Sequence, residues 1–369
     1  MSVSVPDAEA RGTQPAGAQR LRDRPDRLEP VFARLRDRVS TGVIPAAALA
    51  VGDLDGEIRS ATFSGRRPLS RDSFFFLASV TKPIFATAFM QLVDDGAVDL
   101  HEPISRFVPE FSRDPDKARV TPWHLLTHTS GVADVPVDEI RRTRPSADQM
   151  TRSTIEAPLR FKPGTRWEYC SSSFYLLGLI MTSVTGLPYR EFLRERVLAP
   201  LGMESTFDPR RSGRPIATVH GIGVENPVVR FFLLRYIART AVPGGGLFGT
   251  LDDLLRFGAA TLRPTRTGDR FQPLSPRSIE LMMRDHTQGI SGIDEGEERR
   301  VHHGLGWGKP TLMSELPGSE RVVSHGGATG TKLWIDPDAG LVFVFFTNQW
   351  SPNRQPEYEA LFGTYEAMR

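Results

Sequence analysis

The sequence predicts an α+β fold in which one antiparallel sheet is flanked by helices and carries a mostly helical lobe. Strand-like segments lie near the beginning of the chain and again near its end. The stretch between them, from about residue 96 to residue 269, has the pattern of helices separated by Pro- and Gly-rich loops. Strands and helices do not alternate as they do in a doubly wound parallel sheet. We therefore expect the two groups of strands to pair with each other in a single sheet.

The first part of the chain supplies a helix, a hairpin and a second helix. Apolar residues at helical spacing predict a helix over 28–39, and apolar runs predict strands over 44–51 and 58–63. Asp55-Gly56 between these strands is typical of a hairpin turn. A helix is predicted over 81–93 because an apolar run precedes it and Gly96 follows it in the C-terminal cap position.

The remaining elements follow from the same patterns, with Pro and Gly between them. Further helices are predicted over 122–128, 173–184, 189–198, 228–239, 251–262, 275–284 and 357–368. Strands are predicted over 304–308, 321–324, 332–335 and 341–347.

The chain is expected to form a disordered leader, 1–25, and one domain, 26–369. The leader is rich in Ala, Arg, Asp and Pro and has no apolar core of a secretory signal. Within the domain, 26–78 and 275–369 are expected to form the α/β lobe, and 79–274 the helical lobe.

Composition excludes several functional classes. The net charge of +2 gives no overall field that attracts nucleic acid. No apolar stretch approaches the length of about 20 residues that crosses a bilayer, so no membrane span is expected. The single cysteine, Cys170, forbids an internal disulfide. A cytoplasmic location is predicted, and the oligomeric state is left open.

Ser79-Val80-Thr81-Lys82 is the first candidate for chemistry. The chain has five lysines against forty-one arginines, and only a lysine can lose its proton and act as a base. Three residues are nearly one helical turn, so Ser79 and Lys82 are expected on one face at the start of a helix. A serine hydroxyl becomes a nucleophile when a base takes its proton. The spacing by itself also arises by chance, and its apolar surroundings are what favour a buried pair.

Two further segments carry candidate residues. Tyr169-Cys170-Ser171 offers a phenol that can relay a proton, although a half-buried aromatic before a helix has the same pattern. The segment 324–330, with His325, Gly327 and Ala328, lies between two strand patterns. Its backbone could approach a substrate closely and donate an N–H to it, although a bulge or tight turn would also explain the glycines.

Together these segments resemble the active-site motifs of the class C serine β-lactamases and their relatives, which include penicillin-binding carboxypeptidases, esterases, amidases and acyltransferases. The resemblance implies a β-lactamase/transpeptidase-like fold. It implies catalytic roles for Ser79, Lys82 and Tyr169, and an oxyanion hole made by the N–H groups of Ser79 and Ala328. It places Ser171, His325 and Gly327 at the substrate.

The resemblance implies a serine hydrolase that acts through an acyl-enzyme on a small ester, thioester or amide. Ser171 stands where β-lactamases often have asparagine, and His325 stands where many members have lysine. A neutral imidazole holds a carboxylate less well than a lysine does, so weak β-lactam hydrolysis is expected. The alternatives are an acyltransferase of specialised metabolism, a β-lactamase or D,D-carboxypeptidase, and a non-catalytic sensor or binding module.

No metal and no cofactor are expected. His124 and His128 have the spacing of a zinc pair, but no glutamate follows His124 as in the metalloprotease motif. Gly244, Gly246 and Gly249 match the dinucleotide fingerprint by letters only, because no strand precedes them. A small acyl substrate is the one expected partner.

Overall fold

The computed structural model describes residues 16–65, 68–263, 271–294 and 297–369, and its elements largely follow the predicted order. The helices are α1 (Ala16–Asp23), α2 (Glu29–Ser40), α3 (Thr81–Asp94), α4 (Pro122–Leu126), α5 (Val137–Thr143), α6 (Ala147–Glu156), α7 (Ser173–Thr185), α8 (Tyr189–Leu193), α9 (Pro227–Thr240), α10 (Leu251–Leu262), α11 (Pro276–Met283) and α12 (Gln355–Met368). The strands are β1 (Ala46–Asp53), β2 (Gly56–Ser64), β3 (Phe75–Phe76), β4 (Trp167–Glu168), β5 (Phe248–Gly249), β6 (Ser291–Asp294), β7 (Glu297–Arg300), β8 (Val323–Gly327), β9 (Thr331–Asp336) and β10 (Leu341–Phe346).

One five-stranded antiparallel sheet forms the centre of the molecule, in the order β2-β1-β10-β9-β8. It joins strands from the two ends of the chain, which confirms the predicted α+β fold. Strands β1 and β10 are buried along their whole length. Because both faces of these central strands are covered, they are almost continuously apolar instead of alternating.

The sheet is covered by helices on both faces. On one face, Phe32 of α2 and Leu361 of α12 pack with Trp334 and Phe343 of the sheet. On the other face lies α10, and a β-carbon on Gly258 would come within 3.0 Å of Val342. The sequence analysis assigned α10 to the helical lobe, whereas the structure packs it directly on the sheet.

The predicted disordered leader is wrong for its last part. Residues 16–23 form α1, in which Leu21 is fully buried. Arg22 of this helix makes an ion pair of 2.5 Å with the buried Asp53. The prediction for residues 1–15 lies outside the described residues.

The strand predicted over 304–308 is also wrong, because this segment is a tight turn. The N–H of Leu305 bonds to Met282 O at 3.0 Å and that of Gly306 bonds to Leu126 O at 3.0 Å, so neither joins a strand ladder. Gly306 has φ of +75°, a conformation that favours glycine. The neighbouring predicted strand, 321–324, instead extends to Gly327 as β8.

Several short elements were not predicted: helices α5 and α6, and a small sheet in which β4 pairs with β6 and β6 with β7. No helix within the described ranges is both long and apolar enough to cross a membrane.

Candidate active site

Ser79 lies in the tight turn between β3 and α3. The residue before it, Ala78, has φ of +46°, which is unusual for a residue with a side chain and typical of functional turns. Ser79 is partly exposed to a cavity of about 620 Å³. Tyr169, His325 and the backbone of Gly327 and Ala328 line the same cavity, which brings together residues that are up to 249 positions apart in the chain.

Lys82 lies one turn further on α3, and its side chain is completely buried. Its Nζ atom is 3.3 Å from Ser79 Oγ, 3.1 Å from Ser171 Oγ and 2.7 Å from the carbonyl oxygen of Gly244. A neutral amine has two N–H donors and one lone pair. If the amine is neutral and donates its two N–H groups to Ser171 Oγ and Gly244 O, its lone pair is left to accept the proton of the Ser79 hydroxyl. A protonated amine would instead donate to all three oxygens.

Gly244 shapes the space around this amine, a role that the sequence analysis missed. A β-carbon at this position would lie 3.3 Å from Lys82 Nζ and 3.2 Å from the β-carbon of Phe174. The Gly244 carbonyl could not approach the amine at 2.7 Å with a larger residue in the same place. The only sequence signal was the glycine cluster, 244–246, which by letters suggested a nucleotide loop.

Tyr169 lies over the amine and is about one-third exposed. Lys82 Nζ is 4.7 Å from the centre of the Tyr169 ring, a cation–π distance when the amine is protonated. The Tyr169 ring packs 4.7 Å from the ring of His128 and 6.3 Å from that of His325. In the described part of the chain its hydroxyl makes no hydrogen bond, which leaves it available to a substrate.

Asp134 holds the segment that carries Tyr169 and Ser171, and no sequence pattern marks this residue. Its carboxylate accepts hydrogen bonds from the N–H of Ser171 at 3.1 Å, the N–H of Ser172 at 2.9 Å and the Ser172 hydroxyl at 2.6 Å. Charge-assisted bonds of this kind are stronger than neutral ones. These bonds hold the backbone of Ser171, so that its hydroxyl stays within hydrogen-bond distance of Lys82 Nζ.

Three buried histidines surround Tyr169. Burial lowers the pKa of His303 to about 4, and burial followed by nearby positive charge holds the pKa values of His128 and His325 well below 6.5. All three are therefore neutral near pH 7. His128 Nδ1 accepts the N–H of Cys170 at 3.2 Å, so His128 positions the loop that carries Tyr169.

The third candidate motif, residues 324–330, presents its backbone to Ser79. Thr329 Oγ1 donates to Phe76 O at 2.5 Å and Thr331 Oγ1 donates to Leu77 O at 2.8 Å, which ties the β8–β9 turn to the residues just before the nucleophile. A β-carbon on Gly327 would clash with Leu77 O, so only glycine allows this approach. Among the described hydrogen bonds, none uses the N–H of Ser79 or of Ala328 as donor, and both remain free for an oxyanion.

The cavity also contains cations that the sequence analysis missed. Arg354 lies beside the third motif, with Nη1 3.1 Å from where a β-carbon on Gly326 would be. Arg354 and the buried Lys332 share one buried carboxylate, Glu357, at 3.5 and 3.4 Å. Two cations share this one carboxylate, and Lys309 also lines the cavity, so its wall has an excess of basic side chains over acidic ones. The sequence analysis considered only His325 as the group that would hold a substrate carboxylate, and the structure adds these cations.

Comparison with known proteins shows the family of the chain. A model of the beta-lactamase family matches residues 31–364. The chain belongs to the beta-lactamase family. It is 32% identical to the esterase EstB of Burkholderia gladioli over 87% of this chain and 90% of that protein. It is 27% identical to the acyltransferase calJ of Penicillium decumbens over 88% of this chain and 90% of that protein.

Solved structures of the family share the fold. A penicillin-binding protein homologue from Caulobacter crescentus matches with a TM-score of 0.75 at 20% identity, covering 94% of this chain and 98% of that one. EstCE1, described as a hydrolase with promiscuous acyltransferase activity, matches with a TM-score of 0.74 at 21% identity, covering 94% and 99%. The resemblance stated from the sequence and the β-lactamase/transpeptidase-like fold are both confirmed. The family includes serine hydrolases and acyltransferases, which supports an enzymatic function.

Proposed function

We propose that this protein is a serine esterase that hydrolyses a small ester, thioester or amide through an acyl-enzyme on Ser79. The observation that carries the proposal is that Lys82 Nζ lies 3.3 Å from Ser79 Oγ. Ser79 and Tyr169 line the same cavity. The 32% identity to an esterase over most of both chains supports the same class of reaction.

In the first step Ser79 Oγ attacks the acyl carbon, and its proton passes to the Lys82–Tyr169 pair. The two groups are best treated as one coupled acid–base unit, since their protonation states depend on each other. The developing oxyanion accepts hydrogen bonds from the N–H groups of Ser79 and Ala328. The leaving alcohol, thiol or amine then takes a proton from Tyr169, and the acyl group remains on Ser79.

In the second step water attacks the acyl-enzyme and gives a proton to the same pair. The carboxylic acid leaves and Ser79 Oγ regains its proton, so that the enzyme returns to its starting state. Ser171 and Gly244 hold the Lys82 amine in place through both steps.

The proposal is tested with Ser79→Ala and an activated ester such as 4-nitrophenyl acetate. We expect turnover to fall to the uncatalysed background, and Lys82→Ala to lose several orders of magnitude because nucleophile and base act as a unit. Ser351→Ala is the matched control, since Ser351 lines the same cavity and its hydroxyl has no hydrogen-bond partner in the described residues. Activity of Ser79→Ala equal to that of the Ser351 variant would refute the mechanism.

A second candidate is an acyltransferase of specialised metabolism that uses the same acyl-enzyme. The similarity to the acyltransferase calJ favours it. An amine or alcohol acceptor would replace water in the second step, and nothing else in the site would change. Titrating acceptors at a fixed concentration of acyl donor separates the two, because the product ratio of a strict hydrolase does not depend on the acceptor.

A β-lactamase or D,D-carboxypeptidase is the third candidate. The excess positive charge of Arg354 and Lys332 over Glu357 is the observation in its favour, since it could hold a substrate carboxylate. We expect weak nitrocefin hydrolysis, because Ser171 offers a shorter side chain than asparagine to a substrate amide. A kcat/KM within about 10⁴–10⁸ M⁻¹s⁻¹, typical of enzymes on their own substrates, would instead identify a β-lactamase.

A non-catalytic sensor would acylate once and stop. A burst of one product per chain without steady-state turnover would identify it. Tyr169 lines the same cavity as Ser79, and its phenol argues for complete turnover because this group can accept a proton from the attacking water. The cytoplasmic location is likewise a proposal that cell fractionation can test.

A further inference from the structure

Helix α9 exposes four large apolar side chains in its first two turns. Val228, Val229, Phe231 and Phe232 have between 47 and 64% of their surface exposed. Single exposed apolar residues are common on protein surfaces, but a contiguous set marks a surface that contacts something other than water. The catalytic mechanism gives these side chains no role.

Arginines adjoin this apolar face. A surface groove of about 630 Å³ has Phe232 in its wall together with five arginines and a single carboxylate, Asp208. The arginines are Arg144, Arg210, Arg211, Arg235 and Arg239. Five positive charges minus one negative charge give the groove +4, whereas the whole chain has a net charge of only +2. The basic character of this region is therefore local.

Three of these five arginines have no carboxylate partner among the described residues. Arg210 donates two hydrogen bonds, of 2.7 and 2.8 Å, to the carboxylate of Asp208. In the ranges that the structure describes, no ion pair joins Arg144, Arg235 or Arg239 to a carboxylate. Their charge is available to an external anion.

The apolar and basic side chains lie on the same stripe of the helix. Phe232, Arg235 and Arg239 follow each other at intervals of three and four residues and so share one face. The guanidinium carbon of Arg235 is 5.6 Å from the centre of the Phe231 ring. Exposed apolar side chains next to basic ones suit an anionic lipid surface, because apolar groups can enter the bilayer boundary while basic groups bind headgroup phosphates.

We propose that this surface, the α9 patch, docks the protein on an anionic lipid bilayer. The patch consists of the four exposed apolar residues of α9 and the five arginines of the groove. The phenyl rings enter the boundary between headgroups and acyl chains, and the arginines bind lipid phosphates from the headgroup side. An acidic protein would pair with the arginines but would leave the phenyl rings opposite polar groups, so the bilayer is the partner that fits both.

The helix that carries the patch is connected to the active site at both ends. Beyond its C-terminus, the carbonyl of Gly244 holds the Lys82 amine at 2.7 Å. Before its N-terminus, His220 O accepts the N–H of Trp350 at 2.8 Å, next to Ser351 in the wall of the catalytic cavity. A docked enzyme would meet acyl esters held in the bilayer, a consequence that rests on the esterase function proposed above.

The test is co-sedimentation of the full chain with vesicles, without substrate, so that it does not depend on catalysis. Vesicles of phosphatidylglycerol and phosphatidylcholine in equal amounts are compared with vesicles of phosphatidylcholine alone. We expect binding to the anionic vesicles that weakens as salt is raised. Arg235→Gln with Arg239→Gln should weaken it roughly 30-fold, since each basic side chain near an anionic surface contributes a factor of about five. Phe231→Ser with Phe232→Ser should weaken it about tenfold or more.

The matched control is Arg34→Gln with Phe362→Ser, which removes one exposed arginine and one exposed phenylalanine from α2 and α12. This pair should bind vesicles like the unmodified chain. All variants should keep their melting temperature and their turnover of a soluble ester, which distinguishes failure of docking from failure of the esterase proposal.

Equal binding to anionic and neutral vesicles, or patch variants that bind as well as the control pair, would overturn the proposal. Loss of self-association instead of vesicle binding in the patch variants would also overturn it, in favour of a second copy of this chain as the partner. If the chain binds an acidic protein and no vesicles, the proposal is overturned, and the acidic protein is the partner of the patch.

Discussion

Gly327→Ala should damage catalysis by separating the third motif from the nucleophile. A β-carbon on Gly327 would lie less than 3.0 Å from both Leu77 O and Thr331 Oγ1. Leu77 O belongs to the backbone and cannot turn away, and Thr331 Oγ1 is held by its hydrogen bond to Leu77 O. The two backbones must part by roughly half an ångström or more. Because Leu77 lies two residues before Ser79 and Gly327 directly precedes Ala328, the two oxyanion donors, Ser79 N–H and Ala328 N–H, would no longer converge on one point.

The expected magnitude follows from the geometry. A displacement of about 1 Å in a catalytic group costs about 100-fold in rate, and the loss of one oxyanion donor costs about 10²–10³-fold. We expect kcat/KM for an activated ester to fall about 100-fold. Overpacking should also lower the free energy of unfolding by about 1–3 kcal/mol, which leaves the protein folded at room temperature.

The adjacent glycine provides the control. A β-carbon on Gly326 would meet only the guanidinium of Arg354, at 3.1 Å, and that flexible group can shift by a few tenths of an ångström. Gly326→Ala should therefore stay within about threefold of the unmodified rate on a neutral ester. The measurement is kcat/KM of both variants by steady-state kinetics, with circular dichroism to verify that each is folded. A folded Gly327→Ala enzyme as active as Gly326→Ala would refute the role given to this close approach.

Three further predictions concern the acid–base unit and its surroundings. Tyr169→Phe should lower kcat about 10²–10⁴-fold by removing the proton relay. The free energy of unfolding should change by less than about 0.5 kcal/mol, because the hydroxyl has no partner in the described structure. Gly244→Ala should lower kcat about tenfold in steady-state assays, since its methyl group would press on the Lys82 amine at 3.3 Å. The pKa of His303 is lowered by burial to about 4, from 6.5 when unfolded, so the unfolded chain binds the proton first as pH falls. Stability should therefore decline between pH 6.5 and pH 4, by about 3 kcal/mol from this residue, and urea titrations of His303→Asn should show a shallower decline.

Each of these has an outcome that counts against it. Normal turnover by Tyr169→Phe would remove the phenol from the mechanism and leave Lys82 as the base. An unchanged rate for Gly244→Ala would mean that the Gly244 carbonyl does not position the amine. A His303→Asn protein whose stability follows the same pH curve as the unmodified chain would show that His303 is not the group that titrates.

Local patterns in the sequence determined much of the fold and the first motif. The antiparallel sheet follows from apolar strand runs at both ends of the chain, and its buried strands β1 and β10 are continuously apolar in the sequence as well. The Ser79–Lys82 spacing is fixed by helical geometry, so a pattern of four residues suffices to predict that the two side chains meet. The segments with Tyr169 and His325 were likewise found from residue types and their order.

Tertiary structure alone decided which distant groups complete the site. Asp134 and Arg354 have no local pattern that marks them, and the glycine cluster at Gly244 does not by itself indicate a contact with Lys82, because these roles depend on contacts with segments 28 to 162 positions away. The strand predicted over 304–308 failed for the same reason, since the N–H groups of Leu305 and Gly306 bond to Met282 and Leu126, although that of Gly308 bonds to Ser324 of β8. Periodicity reports how one segment is buried, whereas hydrogen-bond partners and close backbone approaches depend on which other segment lies opposite, and only the folded chain specifies that.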